Sequence, residues 1–403
     1  MRIIPLLVLT ATLLMFLDST DVVVVVVVVV DGFQPSGQQQ RHHQRHRFQG
    51  EQPTMRILQR TTTSATITTT TTALPCQLLG MNCATPTDFI FSLQGFCRRG
   101  GDTDIHGDGW GLAFYEGSGI RQFHDTQAAA SSPMADFLSS QNIQTVNMMA
   151  HLRYATVGEV NLSNVHPFAR EMWGIQWVFA MNGDIESFQR NPELKLSRLG
   201  PNDSPCREES YYSPVGTTDS EAAFCAILNA LRVRFSSLPS LPVLHQAIKE
   251  LCNEIVMDDP SGSIFNFLLT CGPHTLWVYS WPGSRPGSDV WNGLHYTTRK
   301  HPFSTAHLTD CDQVMNFSEH TTEESVVSVV ATKPLTDDEE WTEIERGELI
   351  VFDQGLPNIT PESLFEIELN GRGLQSTFMQ KSIIEEDMKT FNIDPGQFQG
   401  NCI

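Results

Sequence analysis

The pattern of apolar and polar positions changes abruptly at Cys76 and keeps its new character to about Leu356. Within this stretch, short apolar runs rich in β-branched and aromatic residues are separated by turn-forming residues, which is typical of β-strands. We predict seven strands, at Gly109–Tyr115, Val146–Tyr154, Trp177–Met181, Asn266–Thr270, Thr275–Trp281, Ser325–Ala331 and Leu349–Asp353. The sequence CGPH at residues 271–274 is predicted as the hairpin turn between the fourth and fifth of them.

Two amphipathic helices are predicted in the same stretch. Glu221–Leu231 follows Asp219 and Ser220, either of which is suited to cap a helix N-terminus. Val243–Val256 has apolar residues on one helical face, namely Leu244, Ala247, Ile248, Leu251 and Ile255. Strands and helices in separate blocks, without βαβ alternation, favour an α+β fold over a doubly wound sheet.

The chain ahead of Cys76 is of a different kind. Ile3–Leu17 is an apolar run behind Arg2 that resembles the core of a signal peptide, but it has no clear small-x-small cleavage site and is short for a bilayer span. Low-complexity blocks rich in valine, in His/Arg/Gln and in threonine follow, at Val22–Val30, Gln38–Gln49 and Thr61–Thr72. Such tracts lack the periodicity that a packed core needs.

The 403 residues are therefore predicted to divide into three parts. Residues 1–75 are interpreted either as a leader or propeptide, disordered or removed, or as an artefact of an extended gene model. Residues 76–356 are predicted as one folded domain. Residues 357–403 are polar and weakly periodic, and we predict a C-terminal tail there.

Charge and cysteine content narrow the functional class and the compartment. A formal net charge of −20 argues against a general nucleic-acid or anionic-membrane binder, because phosphates would be repelled. The nine cysteines include no C-x-x-C pair and no zinc-like spacing. We expect Cys225, Cys252 and Cys271, which have apolar neighbours, to be small buried hydrophobic residues. This usage favours a reducing, cytoplasmic compartment, while the N-terminal apolar run leaves a secretory or organellar route open.

Four segments of the predicted domain carry groups suited to binding an amino acid. They are, in chain order, CQLLGMNC at residues 76–83, HLRYATVG at 151–158 with HPF at 166–168, AMNGDI at 180–185 and GTTDSE at 216–221. In this order the segments resemble the YafJ-type stand-alone class II glutamine amidotransferases. They resemble more distantly the glutaminase domains of glucosamine-6-phosphate synthase and amidophosphoribosyltransferase.

The likeness runs from Cys76 to about Leu356 and includes DGWG at residues 108–111 and ATKPL at 331–335. Each motif is weak alone, whereas four in the family's order make a strong signal. The resemblance implies the four-layer αββα sandwich of N-terminal-nucleophile hydrolases, an α+β fold. It also implies hydrolysis of the side-chain amide of glutamine to glutamate and ammonia.

The resemblance also assigns residues to the substrate. A site for glutamine needs a cation for the carboxylate, an anion for the ammonium and donors for the oxyanion. Arg153 can hold the carboxylate with its planar fork, Thr156 assists through its hydroxyl, and Asp219 pairs with the ammonium. His166 is expected to shape the pocket, although a lone histidine before proline is more often structural. The alternatives are a surface salt bridge for Arg153 and a helix N-cap for Asp219.

The catalytic residues implied by the resemblance are Cys76, Asn182 and Gly183. The side-chain NH₂ of Asn182 and the backbone N–H of Gly183 would stabilise the tetrahedral oxyanion, each donor typically lowering the barrier by about 3 kcal/mol. By itself, the Asn-Gly dipeptide equally suits a hairpin turn. The sulfur of Cys76 would form a γ-glutamyl thioester that water then hydrolyses.

The base in this family is the α-amino group of the nucleophilic cysteine, whose pKa of about 8 lets it take and return a proton near neutrality. This chain departs from the family, because Pro75-Cys76 behind a long leader replaces the Met-Cys start. A peptide nitrogen at Cys76 cannot act as a base, since its lone pair is delocalised. We therefore hypothesise that the mature chain begins at Cys76, through proteolysis or because the start codon lies elsewhere.

Three functions remain open. The first is a glutaminase subunit that passes ammonia to a separate acceptor subunit. The second is an amidohydrolase of a γ-glutamyl peptide or thiol metabolite, as in glutathione breakdown or ergothioneine synthesis, where a peptidase subunit would be the partner. The third is a catalytically silent ligand-binding protein, if Cys76 stays blocked. None of them requires a cofactor, a metal or a nucleic acid.

Overall fold

The described part of the chain is built from antiparallel strands with helices packed on the outside. The structure, a computed structural model, describes residues 76–155, 158–196, 210–283, 292–303, 305–319, 321–369 and 381–394. Within these ranges the strands are β1 (Gln77–Asp88), β2 (Trp110–Glu116), β3 (Gly119–Asp125), β4 (Gln144–Leu152), β5 (Phe168–Met172), β6 (Ile175–Asp184), β7 (Ile264–Cys271), β8 (Thr275–Ser280), β9 (His295–Lys300), β10 (Thr305–His307), β11 (Val314–Asn316), β12 (Val326–Ala331), β13 (Thr342–Glu343), β14 (Glu348–Asp353) and β15 (Leu356–Asn358).

The α-helices of the same ranges are α1 (Ile90–Arg98), α2 (Pro133–Ser139), α3 (Glu186–Arg190), α4 (Asp219–Arg234), α5 (Leu241–Asp258), α6 (Pro361–Leu369) and α7 (Lys381–Thr390). Short 3-10 turns lie at Ala129–Ser131, Leu162–Asn164 and Phe317–Glu319. Among the described residues, no helix is both long enough and apolar enough to cross a bilayer.

The first sheet has seven strands in the order β13-β9-β12-β1-β4-β2-β3. Its central strand β1 runs antiparallel to both neighbours, with Gln77 opposite Leu152 of β4 and Leu79 opposite Ala331 of β12. The start of β1 therefore lies beside the ends of β4 and β12, at one end of the sheet. This register decides which residues meet Cys76, which directly precedes β1.

The second sheet has six strands in the order β15-β14-β8-β7-β6-β5, and β10 and β11 form a separate two-stranded pair. Residues 272–274 connect β7 to β8, and Gly272 has a φ of +74°, a left-handed conformation that glycine adopts without strain. The hairpin predicted at this point is confirmed. β6, which carries two of the predicted catalytic residues, pairs with β7 along eight residues, from Trp177 to Asp184.

The sheets and helices stack in four layers. Between the sheets, apolar residues from both inner faces pack together, among them Leu78 of β1 and Leu268 of β7. On the outer face of the first sheet, Leu79 lies in one apolar cluster with residues of α1 and α2. On the outer face of the second sheet, Phe179 stacks on Phe224 of α4 at 5.0 Å, within a cluster that also includes residues of α5. The predicted αββα sandwich and α+β class are confirmed.

Buried polar side chains also join the two sheets. The hydroxyl group of Tyr115 on β2 lies 2.8 Å from Thr270 Oγ1 on β7. The Nδ2 atom of Asn82 on β1 donates to the carbonyl oxygen of His274, 2.8 Å away in the β7–β8 turn. The Tyr115–Thr270 hydrogen bond is buried and therefore costly to lose, because the remaining polar group would be left without water. These contacts therefore hold the two sheets in one relative position.

Each of the seven predicted strands corresponds to an observed strand, with ends shifted by a few residues. Both predicted helices are also present, but the predicted cap is wrong. Thr218 is the N-cap of α4, and its hydroxyl accepts from the Glu221 backbone N–H. Asp219 is the first residue of the helix, so its carboxylate is directed to other partners.

The segment predicted as a tail contains β15, α6 and α7 in its described residues. Leu364 and Ile367 of α6 are buried in the same cluster as α4 and α5. The Oε1 atom of Glu368 accepts from the Leu241 backbone N–H at 2.6 Å. In α6, four of the nine residues are buried, so its apolar pattern is short. The leader at residues 1–75 lies outside the described residues, and its boundary stays a prediction.

Among the described cysteines, Cys83, Cys97, Cys225, Cys252, Cys271 and Cys311 are free thiols. Cys225, Cys252 and Cys271 are buried, as predicted, and burial raises the pKa of each thiol, to about 11 for Cys225. Thiols of this kind act as small apolar side chains. Cys76 differs from them because it is partly exposed at the end of the sandwich.

Candidate active site

Cys76 meets the loop that follows β4. Because Gln77 pairs with Leu152, the residue before β1 is placed beside the residues after β4. The Cys76 sulfur lies 3.4 Å from the backbone nitrogen of Tyr154 and 3.5 Å from its carbonyl oxygen. The Tyr154 peptide group thus holds the sulfur directly next to Arg153.

Arg153 is buried, with 3% of its surface exposed. Its backbone N–H donates to Gly109 O at 2.9 Å, its carbonyl oxygen accepts from Asp108 N at 3.1 Å, and its Nη2 donates to Gly158 O at 3.3 Å. Burial lowers the pKa of the guanidinium, and the nearby Cys76 and Asp108 groups oppose that shift. A buried arginine beside a thiol contradicts the alternative of a surface salt bridge. The predicted helper Thr156 lies outside the described residues.

Asn182 and Gly183 lie inside β6, opposite Asn266 and Phe265 of β7. They form no hairpin turn, so that alternative is wrong. Asn182 follows Ala180 by two residues and Ala180 packs between the sheets, so strand alternation turns the Asn182 side chain towards the first sheet. A Cβ on Gly183 would lie 2.3 Å from the Ile264 carbonyl oxygen, which leaves room only for glycine.

Asp219 is linked to the end of the same strand. Its Oδ2 accepts from the backbone N–H of Ile185 at 2.8 Å, and its Oδ1 accepts from Ser220 N at 2.9 Å. The side chain is 5% exposed, and burial raises the pKa of Asp219 to about 6, with the negative charge of Asp184 adding to the shift. A carboxylate that is costly to ionise in an empty site is suited to pair with a cation that enters with a ligand.

His166 lies beneath the site and supports β6. Its Nδ1 accepts from the backbone N–H of Met181 at 3.1 Å, and its ring stacks on that of His151 at 4.2 Å. Burial lowers the pKa of His166 to about 3, and the charge of Arg153 adds to the shift. The imidazole is therefore neutral, as an acceptor at Nδ1 requires. These contacts of His166 are with other protein groups. That His166 shapes the substrate pocket stays a prediction.

Two further residues of the site were not predicted to have a role, although both lie in motifs that carried the resemblance. The Oδ2 atom of Asp108 accepts from Ala155 N at 2.8 Å and so shapes the loop after Arg153. The Oγ1 atom of Thr332, directly after β12, lies 3.0 Å from Leu78 N. In the sequence, only the motifs that contain Asp108 and Thr332 marked these residues. Their hydrogen-bond partners depend on how the strands pair, which the motifs do not show.

The described residues contain no group of three or more His, Cys, Asp or Glu side chains arranged to hold a metal ion. The chemical groups of the site are the side chains and backbone groups named above. They place a thiol beside a buried cation, together with Asn182 and Gly183 on β6 and a buried carboxylate that accepts a hydrogen bond from the end of that strand.

Comparison with known proteins gives a consistent result. Residues 75–370 match the family model of class II glutamine amidotransferases. The chain is 41% identical over 280 residues to a Haemophilus influenzae protein provisionally named a glutamine amidotransferase, covering 70% of this chain and 85% of that one. It is 38% identical over 278 residues to YafJ of Escherichia coli K12, provisionally named likewise, covering 69% of this chain and 97% of that one.

Solved structures include a similar chain. The 2.0 Å crystal structure of a predicted glutamine amidotransferase from Pseudomonas aeruginosa PA01 shares 34% identity, with 71% of this chain and 100% of that chain covered and a TM-score of 0.49. The matched family region contains every site residue described above. The resemblance inferred from the motifs is thus confirmed over most of the chain. The chain belongs to the class II glutamine amidotransferases.

Proposed function

We propose that the chain, in a mature form beginning at Cys76, hydrolyses the side-chain amide of glutamine through a γ-glutamyl thioester on the Cys76 sulfur. The observation that carries this proposal is the position of that sulfur, held against the Tyr154 peptide group beside the buried guanidinium of Arg153. A nucleophile next to a carboxylate-binding fork is what a γ-glutamyl substrate requires.

The substrate is bound at its amino-acid end. Arg153 holds the α-carboxylate, and Asp219 holds the α-ammonium, which repays the cost of ionising a carboxyl group whose pKa is about 6 when the site is empty. These two contacts leave the side chain to extend towards Cys76. Thr156 is proposed to assist Arg153 through its hydroxyl.

The reaction uses one proton acceptor throughout. The α-amino group of Cys76 takes the thiol proton, and the sulfur attacks the amide carbon of the substrate. The oxyanion is stabilised by the Asn182 amide and the Gly183 backbone N–H. The C–N bond then breaks, the α-ammonium returns its proton to the leaving amine, and ammonia departs. Water attacks the thioester with the same amine as base, which releases glutamate and restores the thiol.

The leaving amine is the variable part of the substrate. Arg153 and Asp219 bind groups common to every γ-glutamyl amide, so a γ-glutamyl peptide or thiol metabolite is the second candidate substrate. With free glutamine, ammonia would pass to a separate acceptor subunit. With a γ-glutamyl peptide, a peptidase subunit would take the released peptide.

The experiment compares four chains in ammonia release from glutamine and in amine release from glutathione. They are the chain beginning at Cys76, the same chain with Pro75 retained, Cys76→Ala and, as a matched control on β1, Cys83→Ala. We expect activity only in the first and the last. Equal release by the Cys76→Ala variant would exclude the mechanism, and activity confined to glutathione would select the second substrate class.

The state of the native protein is tested separately. N-terminal sequencing of protein from its natural source is expected to begin at Cys76. An intact bond between Pro75 and Cys76 in active material would contradict the role of the free amine.

A further inference from the structure

Thr332 lies where the two sheets meet at the Cys76 end of the sandwich. It directly follows β12, whose last residue Ala331 pairs with Leu79 of β1. Its side chain is buried, with 6% of the residue exposed. The residue belongs to the first sheet by its backbone, whereas its hydroxyl group faces the second sheet.

Two hydrogen bonds fix Thr332 to β1, the strand that begins directly after Cys76. The backbone N–H of Leu78 donates to Thr332 Oγ1 at 3.0 Å, and the Thr332 backbone N–H donates to Leu78 O at 3.2 Å. The hydroxyl oxygen thus accepts a bond from the main chain two residues after the nucleophile. Because both partners are buried, the loss of either bond would leave an N–H or carbonyl group without water.

The hydroxyl group of Thr332 also reaches the oxyanion residue of the proposed function. The Nδ2 atom of Asn182 lies 3.5 Å from the same Thr332 Oγ1. The backbone carbonyl of Asn182 accepts from Asn266 Nδ2 at 3.2 Å, so the residue is held at its main chain as well. A hydroxyl oxygen has two lone pairs, which match the two N–H groups that it meets here.

We propose that Thr332 is a positioning residue of the reaction. Its hydroxyl oxygen holds the Asn182 amide in a fixed position relative to β1, the strand that begins directly after Cys76. This inference rests on the proposed function. An amide NH₂ group has two hydrogens, and a bond from one of them to Thr332 fixes the side-chain torsion and hence the direction of the other. Oxyanion donors act through such preorganisation, because a donor already aimed at the developing charge needs no reorganisation.

The segment around Thr332 is itself held in place. Its carbonyl oxygen lies 3.2 Å from His295 Nδ1. The next two carbonyl groups, of Lys333 and Pro334, accept from the buried guanidinium of Arg99 at 2.7 Å and 2.5 Å. Because the backbone around Thr332 is fixed, its hydroxyl group can hold the Asn182 side chain of the second sheet at a constant position relative to the first sheet.

The test compares Thr332→Val, which keeps the shape and removes the acceptor, with Thr332→Ser, which keeps the hydroxyl. Both are made in the form of the chain that releases ammonia from glutamine. We expect Val to lower kcat by about 10- to 100-fold, part of the 10²–10³-fold typical for loss of an oxyanion donor, with KM within about twofold. Ser should stay within about threefold of the wild-type kcat. If Val does not accumulate as folded protein, Thr332→Ala takes its place with the same expected loss of kcat, because a water in the gap can accept from the Leu78 N–H but does not fix the Asn182 amide to the chain.

A double-mutant cycle with Asn182→Ala separates positioning from general damage. If Thr332 acts through Asn182, Thr332→Val should have little further effect on kcat once Asn182 has been truncated. Additive losses, or equal losses in the Val and Ser variants, would overturn the inference while wild-type activity still supported the proposed function. An inactive wild type that begins at Cys76 would refute the proposed function itself.

Discussion

The imidazole of His166 accepts the backbone N–H of Met181 at 3.1 Å, one residue before Asn182. The ring is buried and stacked on His151, so its position is set by packing as well as by the hydrogen bond. The bond attaches β6, which carries the proposed oxyanion residues, to the segment between the Arg153 loop and β5. This one hydrogen bond therefore helps to fix the position of β6 next to Asn182.

Replacing His166 should distinguish an acceptor from a ligand contact. In His166→Asn the side-chain Oδ1 can occupy the place of Nδ1, whereas His166→Leu leaves the Met181 N–H buried without an acceptor, which costs roughly 1–3 kcal/mol. We expect the Leu variant to lose about this much stability and about tenfold in kcat, from displacement of the oxyanion donors. The Asn variant should keep most of both. Chemical denaturation and steady-state kinetics measure them, and equal loss in the two variants would rule out the acceptor role.

Asp219 should make the stability of the ligand-free protein depend on pH. Its pKa is raised by burial from 3.8 to about 6, so the folded state binds the proton more tightly than the unfolded state. Its stabilising contribution is fully present below the unfolded pKa and is lost as the pH rises through the folded pKa. Over this window Asp219→Asn should gain stability relative to wild type by up to ~3 kcal/mol. Denaturation at pH 4.5 and pH 7 measures the difference, and a pH-independent difference would contradict the shift.

Glutamine binding should be favoured by higher pH, whereas the stability of the protein without substrate is favoured by lower pH. In the proposed function the substrate ammonium pairs with the ionised carboxylate, so KM for glutamine should rise as the pH falls below about 6, the pKa of the Asp219 carboxyl group. Asp219→Asn should raise KM by about 100-fold or more at neutral pH, because a charged hydrogen bond of about 3 kcal/mol is lost. A variant with unchanged KM would show that the Asp219 carboxylate serves only its contacts with Ile185 and Ser220.

Gly111 on β2 should tolerate no side chain. A Cβ there would lie 2.1 Å from the His166 carbonyl oxygen and 2.6 Å from the His124 ring. Gly111→Ala should therefore destabilise the protein by about 3 kcal/mol or more, since overpacking forces the backbone to move. Gly119→Ala, in the same hairpin, is the control, because its Cβ would lie 3.6 Å from the nearest atom outside its chain neighbours, the Glu116 carbonyl oxygen. Equal unfolding midpoints for both variants would contradict the close approach.

The buried guanidinium of Arg99 should contribute far more to the stability of the protein than the exposed guanidinium of Arg98. Arg99 Nε donates to Asp310 Oδ2 at 2.6 Å, and the two side chains are 0% and 8% exposed. Arg99→Met leaves that carboxylate buried without its cation, which costs roughly 3–5 kcal/mol. Arg98→Met is the matched control, because its ion pair with Asp102 is 52% and 43% exposed and such pairs contribute about 0–1 kcal/mol. Denaturation midpoints separate the two cases.

Strand β1 shows why part of the fold could not be predicted from the sequence pattern. It is the central strand of its sheet and is covered on both faces, with Leu78 packed between the sheets and Leu79 under the helices. Such a strand has no alternation of apolar and polar residues. The β7–β8 hairpin and α5 were predicted because their signals, a glycine turn and an apolar helical face, are local.

The candidate site likewise has residues that could be predicted from the sequence and contacts that could not. Cys76, Arg153 and Asp219 could be chosen because each lies in a short motif of residues suited to one part of glutamine. The partners of Asp219 could not, since the helix cap proved to be Thr218 and the carboxylate instead accepts from Ile185. That contact requires α4 to pack against the end of β6.

By themselves, the residues of the chain determined which chemical groups are present and in what order: a thiol, a guanidinium, an amide with a glycine, and a carboxylate. The last three lie on or beside segments whose apolar patterns predict strands and a helix. Only the tertiary structure decided which groups touch. The hydrogen bond between Leu78 and Thr332 spans 254 residues of sequence. It exists because β12 pairs with β1 in one register, and the contact with Asn182 exists because two sheets stack face to face. Such distances follow from the pairing and packing of whole elements, which no local pattern specifies.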